Sequence, residues 1–362
     1  MSIKSKSNTQ IALQKFKKDF WGVLCFWLII VFTMCSVFAY FIIPDNSANA
    51  NTGDLALRSQ PPGFTVKTIV IPNVDSKTFD EYWIGTKNPL NHIAINDYVI
   101  KKDSIFYTSF STQSNIDEYN AIPLSIFGNK KVEDIIVNKT FYLGTDNQGR
   151  DYLSRLILGS RVSLAIGFIA VSISLLIGIS LGAIAGYFGG KIDAFILWII
   201  NIFWSIPTLL LVIAITLALG KGFWQVFIAV GLTMWVEVAR VVRGQVISVK
   251  EQQYVTAARA LGYSDWRIIA KHILPNCMAP VIVISAANFA SAILMESGLS
   301  FLGIGTQVPT ASWGAMIKEN YNYILLGKAY LALLPGFLMF LLVMSFMLIG
   351  NALRDALDVK RN

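Results

Sequence analysis

Few residues of this chain have the types and spacing that chemistry needs. No G-x-x-x-x-G-K-[ST] sequence occurs, so no Walker-type phosphate loop is present. The two histidines, His92 and His272, are far apart, and neither belongs to an H-E-x-x-H pair. Cys25, Cys35 and Cys277 make no C-x-x-C pair and imply no disulfide framework. Metal and nucleophilic catalysis therefore have little to work with, and His272 reads as a solvated or backbone-bonded loop residue. Glu237 and Glu296 are a different matter, because both fall in or at the ends of apolar runs. A charge at a bilayer centre costs about 2.5–3.5 kcal/mol on insertion scales, so such residues usually face a cavity or a partner. Glu237 precedes Arg240 and Arg243 closely and is placed at the inner interface, whereas Glu296 is a candidate for a substrate path. Pro207 should kink its helix and could line the same path. Asp146, Arg150, Asp151 and Arg155 are spaced to pair across turns of a short outer helix, as a structural clamp rather than a substrate contact.

The richest stretch is polar and runs from Glu251 to Asn276. Val255 to Leu261 holds strong helix formers, with Tyr254, Ala258 and Leu261 at helical spacing. Gly262 can take positive φ and end that helix. A second helical piece is expected over Asp265 to Ile273, with the acid at its start and Lys271 near its end. Pro275 then interrupts the pattern. Small side chains at Ala257, Ala258 and Ala260 would let another surface approach closely. On spacing alone, a membrane-surface helix and a protein-docking helix are equally good readings.

The elements that hold these residues are apolar runs. Hydrophobic residues make up 54% of the 362, charged residues only 14%, and mean hydropathy is +0.56, against roughly a quarter charged in a soluble domain. The net charge of +8 lies between apolar runs, which favours membrane topology over nucleic acid. Runs of about 20 apolar residues span a bilayer. They occur at about 21–43, 162–187, 194–219, 223–238 (the shortest), 278–302 and 330–348. The expectation is an all-α polytopic membrane protein of about six transmembrane helices, with a large extracytoplasmic insertion, β-containing or an ordered loop, between helices 1 and 2. Its divisions are 1–43, the insertion at 44–150, and a membrane core at 151–362 with five of the helices and an inner loop at 239–277. Thr68–Ile71 and Tyr98–Ile100 are strand-like, and Pro61-Pro62-Gly63 marks a turn. Basic residues cluster in one set of short segments (Lys4, Lys6, Lys15, Lys17, Lys18, Lys191, the 240–271 loop, Arg354, Lys360, Arg361). The short opposite loops hold Lys221, Lys318 and Lys328; Lys139, Arg150, Arg155 and Arg161 oppose the trend but belong to a long translocated segment, where the rule is weak, so both termini are expected inside. The glycines at 178, 182 and 186 would let the second helix pack closely on a neighbour.

The inner loop resembles the EAA loop of ATP-binding-cassette (ABC) importer permeases: Ala257-Ala258, Gly262 and Leu274-Pro275 match its order and spacing. Thr256 stands where the pattern has Glu, and His272 where it has Ile. Leu143 to Leu156, Gly189 to Asp193, Ser205 to Leu209, Leu299 to Gly305, Ser312-Trp313-Gly314 and Leu353 to Asp358 resemble the oligopeptide/dipeptide (peptide/nickel) subfamily, second permease of the pair. The likeness covers about 140–362 and the first helix, and the 44–140 stretch is longer than in the typical member. It implies a multi-pass inner membrane permease that is not an enzyme and carries peptides or similar small solutes. It also implies that Tyr254, Thr256, Ala257, Ala258, Arg259, Leu261, Gly262, Asp265, Leu274 and Pro275 dock an ATP-binding subunit. ATP and magnesium would sit on that partner and no cofactor on this chain. A second homologous permease, an extracytoplasmic substrate-binding protein and membrane lipid are the other expected partners, with no nucleic acid. A proton- or ion-coupled secondary transporter would explain the hydropathy and the membrane glutamates but not the loop, and a membrane-anchored structural or sensing protein would explain only the insertion.

Overall fold

The computed structural model describes residues 8–71, 79–86, 89, 91–101, 103–111, 119–128, 132–220, 222–307 and 309–357. Lys4, Lys6, Lys221, Asp358, Lys360 and Arg361 lie outside them. The chain forms two compact units, one of Met1–Thr33, Ser163–Gln307 and Gly336–Asn362, the other of Met34–Val162 and Val308–Pro335.

The first unit is helical. Its helices are α1 (Asn8–Lys18), α2 (Phe20–Val37), α3 (Tyr152–Phe188), α4 (Gly190–Ser205), α5 (Thr208–Leu219), α6 (Phe223–Lys250), α7 (Gln253–Ala260), α8 (Asp265–Leu302) and, after α9 (Trp313–Asn320) of the second unit, α10 (Tyr330–Leu357). Five of them are long and apolar enough to cross a membrane, or six crossings if α4 and α5 make one broken span. Several elements differ from the hydropathy reading. The second run is a 37-residue helix beginning ten residues early, because Asp151 caps it: the Ser154 N–H donates to Asp151 Oδ2 at 2.9 Å. The fourth run extends to Lys250, since its charges are absorbed along the way. Arg243 donates to both Asp193 oxygens at 2.5 and 2.6 Å, and the Arg240 guanidinium lies 3.3 Å from the Trp204 ring centre. Pro207 does more than kink. Ile206 and Pro207 are both extended (ψ 129° and 125°), and α4 and α5 meet at 93°, as the restriction on a residue before proline predicts. Pro275 does less than expected: α8 runs straight through it, a π-turn at Ile269–Ile273 having widened the helix just before the proline ring.

The glycine stripe packs α3 on α6 within this chain. A Cβ built on Gly178, Gly182 or Gly186 would fall 2.8, 2.5 and 2.8 Å from the carbonyl oxygens of Trp235, Ala239 and Arg243. Around that contact, Ile166 and Ala170 of α3, Val212 of α5, Phe227 and Val230 of α6, and Ala292 and Leu299 of α8 form one buried cluster.

The second unit carries a five-stranded antiparallel sheet of order β4-β3-β2-β1-β5: β1 Phe64–Ile71, β2 Asn91–Lys101, β3 Ser104–Ser109, β4 Tyr119–Pro123 and β5 Ile136–Phe141. The strand-like pieces at 68–71 and 98–100 are in β1 and β2, and Pro61–Gly63 turns into β1. Period-2 alternation puts Ile69, Ile95, Ile105 and Ile122 into one cluster and Val66, Ala94 and Phe141 into another. On the latter side Asn51–Asp54, Thr68, His92 and Lys139 line a cavity of about 530 Å³. Burial, helped by Lys139 and opposed by Asp45, lowers His92 to about 4. Its unfolded value is about 6.5, so the neutral imidazole stabilises the fold at pH 7, and that contribution is lost as pH falls from 6.5 to 4. The stability drop between pH 7 and 4.5, followed by hydrogen exchange of β1 and β2, should be smaller in His92→Asn. An equal drop in both proteins would refute this assignment.

The four charges at 146–155 do not lie on one short helix. Asp146 sits in the turn before α3, accepting from the backbone of Gln148 and Arg150 at 2.8 and 3.0 Å. Arg150 Nε reaches its other oxygen at 2.6 Å and Arg155 Nε approaches it at 3.6 Å. Arg150 also pairs with Glu319 at 2.8 Å and donates to Asn51 at 3.2 Å. Asp146, Arg150 and Arg155 are at most 2% exposed.

Candidate functional site

The inner loop folds as the residue types require. α7 ends in a Schellman turn: the Gly262 N–H donates to the Arg259 carbonyl and the Tyr263 N–H to the Ala258 carbonyl. That turn needs a left-handed residue, and Gly262 supplies it at φ 75°. The inward face of α7 is Val255 and Ala258, buried with Val242 and Val246 of α6, Ala183 of α3, and Ile268, Ile269, Ile273 and Cys277 of α8. Ala258 thus points into the fold, not toward a partner, and an acidic residue there would test packing rather than docking.

The outward face is Tyr254, Thr256, Ala257, Arg259, Leu261, Gly262 and Asp265, with Pro275 further on, all exposed, and Leu274 half-buried. Leu261 is 73% exposed and Trp266 63%. Trp266, absent from the sequence-derived set, flanks the turn with its ring edge-on to Phe188 at 6.1 Å. A lone tryptophan in a polar loop was its only signal. The loop is tied down on its inner side: Tyr187 Oη donates to Asp265 at 2.5 Å, Tyr263 stacks on His272, and Arg267 lies 4.4 Å from the Tyr263 ring centre. An apolar knob is thus held on a floor shared by three long helices. Burial raises the Tyr254 hydroxyl above its usual range, so it stays a neutral donor.

The two path candidates part company. Pro207 is exposed at the α4–α5 break. Glu296 is fully buried and accepts from Ser300 at 2.6 Å, and Ser300 Oγ in turn meets Thr306. That arrangement fastens the end of α8. One nucleophile-elbow spelling, Gly178-Ile179-Ser180-Leu181-Gly182, lies in mid-helix with Ser180 bonded back to the Leu176 carbonyl, so it presents no nucleophile. Among the described residues no group of three or more potential metal ligands occurs.

Five helices long and apolar enough to cross a membrane, a helix pair bent by 93° and a braced helical knob between two of the long helices are the parts of a polytopic membrane protein. The family model for the inner membrane component of binding-protein-dependent transport systems matches residues 178–361, and the chain belongs to that family. It is accordingly a multi-pass inner membrane protein. A dipeptide transport system permease protein of Bacillus subtilis is 42% identical over 60% of this chain and 68% of its own length. A dipeptide permease of Lactococcus lactis is 29% identical over 96% of this chain and 90% of its own, a share unreachable without the 44–140 segment. An inward facing MetNI methionine ABC transporter structure covers 57% of this chain and 97% of its own at 20% identity, with a TM-score of 0.48.

Proposed function

We propose that this chain is the permease subunit of an ABC importer, forming with a second homologous permease the path for peptides or similar small solutes. The peptide class is taken from the relatives' names. The observation that carries the reading is the loop: Leu261 and the small face around Gly262 project from a helix whose other side is locked into α3, α6 and α8. A partner pressing on that knob moves three long helices at once. In this reading two ATP-binding subunits dock on the knobs and hold the ATP and magnesium, and an extracytoplasmic binding protein delivers the cargo. Transmission requires that the docked contact differ between the two states, since a contact equally good in both shifts nothing.

Both termini and the 239–277 loop lie in the cytoplasm, and the 44–150 segment outside, in keeping with the basic-residue bias. That placement takes α4 and α5 together as one broken span. Residues 1–43, 44–150 and 151–362 serve as anchor, external module and permease core. The path passes the Pro207 break, while Glu296 holds the end of α8.

The test is a mild-detergent pull-down from native membrane with an ATPase assay. The wild type should bring down an ATP-binding chain and a second permease. Leu261→Asp should lose the ATP-binding chain by roughly 30-fold in affinity, the scale of an interface hot spot of about 2 kcal/mol, while keeping the second permease. Recovery of a homo-oligomer with no ATPase would sink the importer reading and favour a proton- or ion-coupled transporter.

A further inference from the structure

Among the described residues of the long spans, Glu237 and Asp355 are the carboxylates left without a counterpart, and Asp355 stands at the very end of α10, two residues before Leu357. Asp193 is taken by Arg243, Glu296 is held by Ser300, and the neighbouring Arg240 is committed to the Trp204 ring and to Asn201 at 2.9 Å. Among the described residues no donor or cation reaches Glu237, and it is exposed. It stands six residues along α6 from Arg243, about 9 Å at 1.5 Å per residue, so it lies deeper in the span than the Asp193–Arg243 pair. A charge at that depth is retained only where a cavity or a partner receives it. The cavity is there: Glu237, Thr208, Thr233, Ser291, Trp204 and Met295 are among the residues lining a space of about 80 Å³ at the α4–α5 break.

Resting on the permease reading above, we propose that Glu237 is the point on the translocation path that recognises the protonated amine of the cargo, a free amino terminus or a basic side chain. An ammonium carries three donors and no acceptor. One carboxylate with the hydroxyls of Thr208 and Ser291 nearby supplies acceptors of that kind, and the apolar Trp204 and Met295 face the cargo's uncharged part. A divalent cation would need several more oxygen ligands, commonly including a second carboxylate, and none lines this cavity. The site would favour amine-bearing cargo in passage, independently of the selection made by the binding protein.

The test uses the assembled permease–ATPase complex in nanodiscs without binding protein, titrated by equilibrium dialysis with trialanine and with N-acetyl-trialanine. Wild type should bind trialanine about tenfold more tightly, a difference of about 1.4 kcal/mol, and Glu237→Gln should bind both peptides equally and weakly. Equal binding of the two by wild type, a preference that survives in Glu237→Gln, or no measurable binding of either would overturn the proposal. So would a Glu237→Gln complex that loses its second permease, because the carboxylate would then belong to an ion pair between chains. Binding-protein-dependent uptake of trialanine by wild type tests the peptide reading separately. Its failure alongside a clear amine preference would remove peptides as cargo while leaving the amine site standing.

Discussion

Asp146→Ala should lower the stability of the purified protein by about 3–5 kcal/mol, the scale for removing one partner of a buried ion pair. The carboxylate meets two guanidiniums, Arg150 at 2.6 Å and Arg155 at 3.6 Å, each about 1% exposed. Without it, Arg150 keeps only Glu319 and Asn51, whereas Arg155 is left with the carbonyls of Asn49 and Pro309 at 3.3 and 3.4 Å. Two of the Arg155 nitrogens, Nε and Nη2, already have no hydrogen-bond partner among the described residues. The backbone amides of Gln148 and Arg150 lose their shared acceptor, Asp146 Oδ1, as well. Asp146→Asn, which keeps an oxygen for the backbone amides, should fall between the variant and the wild type. Thermal unfolding in detergent reads both, and a change below about 1 kcal/mol in Asp146→Ala would show that the charges find other partners.

Gly182→Leu should be worse for the helical unit. The new Cβ alone would stand 2.5 Å from the Ala239 carbonyl oxygen, and the atom in the way is backbone. No rotamer relieves that contact, so α3 and α6 must separate and open the cluster that includes Ala183, Val238 and Val242. Overpacking of a core typically costs about 1–3 kcal/mol, and displacement of a whole helix puts this variant at or above that upper end. The expected outcome is little monodisperse protein in size-exclusion chromatography. Gly244→Ala is the control: nothing lies within 4 Å of its Cβ, and exchanging glycine for alanine in a helix favours folding by about 0.5–1 kcal/mol. A Gly182→Leu protein as monodisperse and heat-resistant as wild type would mean that the two helices are not in this contact.

Hydropathy made the spans legible but not their ends. It responds to what lipid tolerates, whereas a helix stops where its caps and side-chain pairs let it. Asp151 and Ser154 start α3 inside a charged stretch, and Arg243 carries α6 past the point where hydropathy falls because Asp193 receives it. The two prolines show the same limit. Pro207 ends a helix and Pro275 does not, although both are preceded by aliphatic residues; the π-turn that accommodates Pro275 has no spelling in the sequence. In the loop, the Gly262 cap was readable because few residues serve a left-handed position. The side to which Ala258 points was not, since Ala257, Ala258 and Ala260 look alike until the floor beneath α7 is known. The Arg150–Glu319 contact joins residues 169 apart, beyond any local pattern.

The α4–α5 break bears on how the cell must make this protein. Ser205 to Leu210 are all exposed, and a helix that ends and another that begins there leave up to four carbonyls and four amides without intrahelical partners. Hydrocarbon cannot satisfy them; a partner protein or water must. Where the second permease of the proposed reading covers the break, a copy inserted alone carries a free-energy penalty that pairing relieves, and a chain that folds better when bound is stabilised by mass action. On the proposed reading, its lifetime in the membrane would follow the supply of the second permease, so surplus copies would be the ones that membrane proteases clear.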